Sequence, residues 1–142
     1  MLFKRLNRTD AERVFVVMQA NEANIAADDV VALELTAASV DGVKIVQPNT
    51  GELTAVVGVA DAAISNGAYG LVQIFGYRST ARINTTGASL TPGQALVPVA
   101  GQDYLETVAS TSGVSPQFVI LESAASTGTT ATVSKKIFIK SM

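Results

Sequence analysis

GAYGLVQIFGYRSTARINTTGASLTPGQALVPVAGQDYL, residues 67–105, decides the fold class. Short apolar runs of Val, Ile, Leu and Phe end at Gly, Pro, Asn or Asp, which is how strands and their turns read. Thr91-Pro92-Gly93-Gln94 sets proline and then glycine at the central positions of a type II turn, where a fixed φ and then a positive φ are required. The same pattern continues on both sides, so strands are expected at 13–19, 30–36, 43–47, 53–59, 70–76, 78–84, 95–99, 104–109, 117–122 and 131–140. The chain is therefore expected to be mainly β, a single-domain β-barrel or β-sandwich with at most one or two short helices.

The connections add detail. Pro48-Asn49-Thr50-Gly51 has the residues of a hairpin turn. ADAAIS at 60–65, followed by Asn66-Gly67 as a stop, is the best short helix. Thr9 with Glu12 has capping-box spacing, but Val14, Phe15, Val16 and Val17 follow and suit a buried strand better. Residues 25–34 (IAADDVVALE) and 90–99 (LTPGQALVPV) both run from an apolar residue through a polar turn into a strand. This internal echo suggests two equivalent edges of a barrel or sandwich. SAASTGTT at 123–130 reads as a flexible loop. With 142 residues the chain fits one domain, divided into an N-terminal arm or first strand at 1–24 and a β-rich domain at 25–142.

The chain has no His and no Cys, which removes the commonest general base, the thiol nucleophile and the strongest transition-metal ligands. The acids Asp28, Asp29, Asp41, Asp61, Asp103 and Glu106 sit mostly at turns, and no D-x-D-x-D-G loop organises them for calcium. Neither a G-x-G-x-x-G nor a G-x-x-x-x-G-K phosphate loop is present. We therefore expect no enzyme activity, no metal and no cofactor. A formal net charge of -2 argues against nucleic acid as a partner. Asp61 interrupts the most apolar stretch, which excludes a spanning helix, and the run at 14–18 is too short for a signal peptide. No membrane association is expected, and the chain is read as an unprocessed cytoplasmic product. Asn7-Arg8-Thr9 and Asn84-Thr85-Thr86 match the glycosylation pattern by chance.

Hydrophobic residues make up 48% of the chain and charged residues 15%, against about 25% charged in an ordinary soluble domain. A small domain of this composition exposes a weakly polar surface suited to protein contact. Tyr69, Tyr77 and Tyr104 are candidate rim contacts, whereas Phe15, Phe75, Phe118 and Phe138 lie in apolar runs and read as core. Arg78 and Arg82 would share one face of a strand, pairing either with a partner's carboxylates or with acids of the same chain. Lys4, Arg5, Arg8 and Arg13 lie near one end and Lys135, Lys136 and Lys140 near the other, as solvated termini or as a clasp on an acidic partner. Arg5 and Arg8 join the three tyrosines, Arg78 and Arg82 as candidate interface residues.

The strand Gly70-Leu-Val-Gln-Ile-Phe-Gly76 and the apolar-x-x-G-x-x-apolar turn from Leu90 to Leu96 give roughly residues 56–109 a familiar pattern. It resembles the small β-rich head decoration, or cement, proteins of tailed bacteriophages. That resemblance implies a β-barrel or β-tulip-like domain, commonly trimeric, with no catalytic residues. It implies docking on the outer capsid surface, between major capsid proteins, as reinforcement against internal DNA pressure. Residues 1–24 have no counterpart in it and suggest an arm reaching a neighbouring subunit. Two other readings stay open: another phage structural β-domain of the tail, collar or fibre anchor, and a small carbohydrate- or peptide-binding barrel. The scarcity of aromatic platforms counts against the last.

Overall fold

The structure is a computed structural model and describes residues 12–21, 23–35, 42–85, 89–107, 119–122 and 131–141. Within them the chain is mainly β. The first half forms β1 (Arg13–Ala20), β2 (Val30–Leu33), β3 (Lys44–Val46), β4 (Val56–Ala60) and β5 (Tyr69–Arg78). The second forms β6 (Arg82–Asn84), β7 (Ala95–Pro98), β8 (Leu105–Thr107), β9 (Val119–Leu121), β10 (Thr132–Ser134) and β11 (Ile137–Lys140). The described helical structure is a single 3-10 turn, Leu53–Ala55.

The first five strands close on themselves. β3 lies parallel to β1 and antiparallel to β2, β2 pairs with β4, β4 with β5, and β5 returns to pair antiparallel with β1. The result is a five-stranded barrel, a closure that leaves no exposed strand edge.

The remaining strands repeat that order. β8 lies parallel to β6 and antiparallel to β7, β7 pairs with β9, and β9 with β11. β10, separated from β11 by Lys135 and Lys136, pairs with β6. The antiparallel β5–β11 pair joins the halves. Registers correspond residue by residue. Ala20 opposes Ile45 where Ile83 opposes Leu105, and Ala60 opposes Val72 where Leu121 opposes Ile137. Gln19 opposes Tyr69 where Arg82 opposes Ser134.

The echo between 25–34 and 90–99 is the local trace of this repetition. The Asp28 N–H donates to the Ala60 carbonyl and the Ala60 N–H to that of Asp29; Gly93, Leu121 and Gln94 repeat both bonds. The Asp29 carboxylate accepts the Ala26 N–H at 2.7 Å, and the Gln94 side-chain oxygen accepts the Thr91 N–H at 2.8 Å. The third turn residue has a positive φ in both, 71° at Asp28 and 91° at Gly93. The segments are equivalent, but they are not edges: β2 sits between β3 and β4, and β7 between β8 and β9. At Gly93 a Cβ would meet open space, so only φ restricts the position. Gly93→Asn, like Asp28, is expected to be nearly neutral, and Gly93→Val to cost about 1–2 kcal/mol in urea unfolding. Equal losses for the two would show that φ does not set the demand.

The repetition also organises the interior. One core cluster holds Met18, Ala20, Ile25, Val31, Ile45, Ala60, Ile64 and Val72. The other contains Ile83, Leu90, Leu96, Leu105, Leu121 and Ile137, the counterparts of Ala20, Ile25, Val31, Ile45, Ala60 and Val72. Val30 and Val59 belong to this second cluster, although their chain neighbours Val31 and Ala60 belong to the first. Alternate residues of β2 and β4 thus enter different cores, which is why both strands are continuous apolar runs.

Several expectations are corrected here. Residues 60–65 are not helical: Ile64 exchanges both backbone bonds with Ile25, and the Asp61 N–H bonds the Leu71 carbonyl, which keeps the segment extended. Asn66-Gly67 closes a turn between β4 and β5, with Gly67 at φ 77°. Residues 48–51 do not make a hairpin, because β3 and β4 pair on opposite sides of β2 and their connection must cross its end. The start of the expected 53–59 strand is the 3-10 turn. The break expected at Tyr77 lies at 79–81, since β5 runs on to Arg78, and the 131–140 strand is divided at Lys135-Lys136. The described phenylalanines, Phe15, Phe75 and Phe138, are half-buried rather than core, because a small barrel leaves room inside only for aliphatic side chains. Phe75 and Phe138 instead meet each other edge to face, ring centres 5.4 Å apart. Phe118, Asp41, Thr9 and residues 123–130 lie outside the described residues.

Candidate functional site

Two regions combine exposure, charge or candidate residues. The first is the seam between the halves. Arg78, at the end of β5, is buried and donates to Asp28 Oδ1 from Nη2 at 2.6 Å, to Asp61 Oδ1 at 3.2 Å and to the Ala60 carbonyl at 2.9 Å. Thr80 Oγ1 donates to the same Asp28 oxygen at 2.8 Å. Arg82, at the start of β6, donates to Asp29 Oδ1 at 3.0 Å and to Asp103 Oδ2. Arg82 and Asp103 belong to the second half and Asp29 to the first, so this pair crosses the seam, as does the Val30 N–H bond to the Asp103 carbonyl at 3.2 Å. Both arginines are thus paired within the chain. They meet not by sharing a strand but because Asp28 and Asp29 are adjacent.

Inside this cluster, burial pushes the Asp29 carboxyl above its ordinary value, outweighing the Ala26 N–H and Arg82, which pull it down; Asp103 adds to the rise. Burial also acts to lower the Arg82 guanidinium, but Asp29 and Asp103 outweigh it and hold Arg82 above its ordinary value. The two directions differ because enclosure falls mainly on Asp29, whose side chain is 12% exposed against 37% for Arg82. A carboxyl with a raised native pKa favours the fold most below its unfolded pKa and loses that contribution as pH rises through the native value. The deficit of Asp29→Asn relative to the parent should therefore be larger near pH ~4 than near pH ~7, read from urea midpoints. A deficit growing toward neutrality would contradict this assignment.

A cleft of about 120 Å³ lies beside the seam, bounded in part by Asn21, Asn24, Asp29, Gln47 and Asp103. Ligand pockets usually span about 300–1,000 Å³, so this one suits a few ordered waters. Among the described residues no group of three or more acids is placed to hold a metal ion. The seam thus ties the two halves together, with both arginines paired to acids of the same chain.

The second region is the outer face of the β1–β5 pair. Val17 opposes Leu71 and Gln19 opposes Tyr69 across the two strands, and alternation turns all four side chains away from the core that holds Met18, Ala20 and Val72. Tyr69 is 63% exposed, Val17 61% and Leu71 46%. Val43 accepts the Gln19 N–H and is also exposed, as is Leu35 beyond β2. Tyr69 is the one sequence-derived candidate in this patch. Tyr77 and Tyr104 are half-buried, Arg78 and Arg82 are occupied at the seam, and Arg5 and Arg8 lie outside the described residues. Val17 and Leu71 escape a sequence reading because each stands beside another apolar residue that faces the core, Met18 and Val72, so outward and inward positions look alike.

No family model and no curated protein matches the sequence. Among solved structures, the chain is similar to the N base of the head fiber gp8.5 of bacteriophage phi29, with 14% identity, 92% of this chain and 96% of that one covered, and a TM-score of 0.48.

Proposed function

We propose that this chain is a non-enzymatic structural protein of a tailed-phage virion, a decoration protein that binds the major capsid protein on the outer surface of the head and stabilises it. The observation that carries the reading is the exposed apolar face of β1 and β5, held on a closed five-stranded barrel whose arginine Arg78, like Arg82 at the seam, is already paired within the chain. Such a molecule is built to present a surface rather than to enclose a substrate. The strand and turn pattern of 70–96, which resembles head decoration proteins, supports the same reading. Many copies of a weakly bound module on a lattice gain avidity from their fixed arrangement, so no single strong contact is required.

The test is assembly. Heads formed without this chain should release DNA at a lower temperature than complete heads, and adding the purified chain should restore the difference. Unchanged heads that never bind the chain would exclude a head role. Labelled chain found by electron microscopy on the tail or collar would reassign it to that part of the particle.

A further inference from the structure

The turn between β4 and β5 contains Asn66-Gly67, the only Asn-Gly dipeptide of the chain. The Ala68 N–H donates to the Ser65 carbonyl at 2.9 Å and Gly67 has a φ of 77°, so residues 65–68 form a type II turn. Asn66 and Gly67 are both exposed, and a Cβ at Gly67 would meet nothing within 4 Å, so no side chain stands over the peptide that follows Asn66. The Asn66 side chain makes no hydrogen bond to the described residues. Elsewhere asparagine precedes Arg8, Glu22, Ile25, Thr50 or Thr85, whose side chains obstruct an approach to the main-chain nitrogen.

From this geometry we propose that Asn66-Gly67 is a site of spontaneous deamidation whose rate is set by the fold. The Gly67 nitrogen attacks Asn66 Cγ: a C–N bond forms, the bond from Cγ to the side-chain nitrogen breaks, and the Gly67 amide proton leaves with it as ammonia. Water then opens the cyclic imide at either carbonyl, giving aspartate or isoaspartate. In the folded chain the attacking nitrogen is engaged. The Gly67 N–H donates to the Ala20 carbonyl at 2.9 Å, the Ala20 N–H donates to the Ala68 carbonyl at 3.0 Å, and Gln19 Nε2 donates to the Gly67 carbonyl at 2.9 Å. Asn24 Oδ1 accepts the Asn66 N–H at 2.8 Å. Attack requires this end of the β1–β5 pair to open, which makes Gln19 and Asn24 protecting residues. The product sets a negative charge close to Tyr69 at the exposed apolar face, and isoaspartate also lengthens the main chain of the turn that leads into β5. This inference concerns the chain by itself and stands apart from the virion reading.

The test incubates the full chain in mildly alkaline buffer, folded and in parallel in guanidinium chloride, and maps its peptides by mass spectrometry. Aspartate and isoaspartate should accumulate at 66 ahead of every other described asparagine, and about tenfold or more slowly in the folded chain than in denaturant. Asn66→Gln should keep the parent melting temperature and give no product at 66. Gln19→Ala and Asn24→Ala should each speed the folded reaction by about 2- to 10-fold, the weight of a single hydrogen bond, and leave the rate in denaturant unchanged. Equal rates in the folded and unfolded chain, faster reaction at another described asparagine, a folded chain that never reacts at 66 even in the two alanine variants, or alanine variants as slow as the parent would overturn the proposal. None of these results bears on binding to heads, which the assembly experiment reads independently.

Discussion

Gly76→Ala is expected to destabilise the protein by about 4 kcal/mol, combining backbone strain with a forced displacement. Gly76 opposes Arg13 at the point where β1 enters the barrel, and its φ is 97°, a conformation L-residues rarely adopt. An added Cβ would lie 1.8 Å from the Glu12 carbonyl oxygen, an atom of the main chain that cannot rotate aside. Relief requires moving the start of β1 and loosening the β1–β5 pairing that closes the first barrel. In a domain of this size the loss corresponds to a fall in melting temperature on the order of 10 °C. Gly51→Ala is the control. Its Cβ would meet nothing, and its φ is not in the left-handed region. That variant should melt close to the parent, and a Gly76→Ala protein melting there as well would show that β1 and β5 do not meet as described.

Arg78→Ala is the second substitution expected to have a large effect, about 3 kcal/mol in urea unfolding. The guanidinium is buried and serves Asp28, Asp61 and the Ala60 carbonyl together, so its loss takes a donor from each of three acceptors, of which Asp28 keeps Thr80 Oγ1 and the Ala60 carbonyl keeps the Asp28 N–H. Asp28 and Asp61 keep partial access to water, with side chains 27% and 41% exposed, which places the cost at the lower end for a broken buried pair. Arg78→Lys should recover only part of the loss, because an ammonium is a point donor and cannot reproduce the planar fork that spans two carboxylates. A fully restored lysine variant would mean that charge alone, without geometry, holds the seam.

These two positions show what kind of information the sequence carries. Gly76 is recognisable as a strand-bounding glycine, but its need for glycine comes from the main chain of residue 12, remote in sequence and adjacent only after the barrel closes. Arg78 and Arg82 are visible as isolated cations, and pairing within the chain is a natural reading for them. Their acids, however, come from a turn about 50 residues earlier and from Asp61 and Asp103, a convergence that no local spacing encodes. The expected helix at 60–65 fails for the same reason, since the backbone of Ile64 is claimed by Ile25.

The exposed face illustrates the limit differently. Val17 and Leu71 look like core in the sequence because each adjoins a buried apolar neighbour, Met18 and Val72. Only the cross-strand register separates outward residues from inward ones.

By itself the sequence determined the all-β class, the approximate positions of most strands, the demand for positive φ at Gly93 and the local likeness of 25–34 to 90–99. All of these depend on short-range chemistry: β-branched and aliphatic runs, turn residues and the steric freedom of glycine. Tertiary structure alone decided that the likeness extends to a repeated five-strand order, that β2 and β4 serve two cores, and that Val17, Tyr69 and Leu71 share one exposed outer face. Those features depend on which strands pair and in which register. Pairing is a contest among distant segments of similar local propensity, settled only when both cores are filled together.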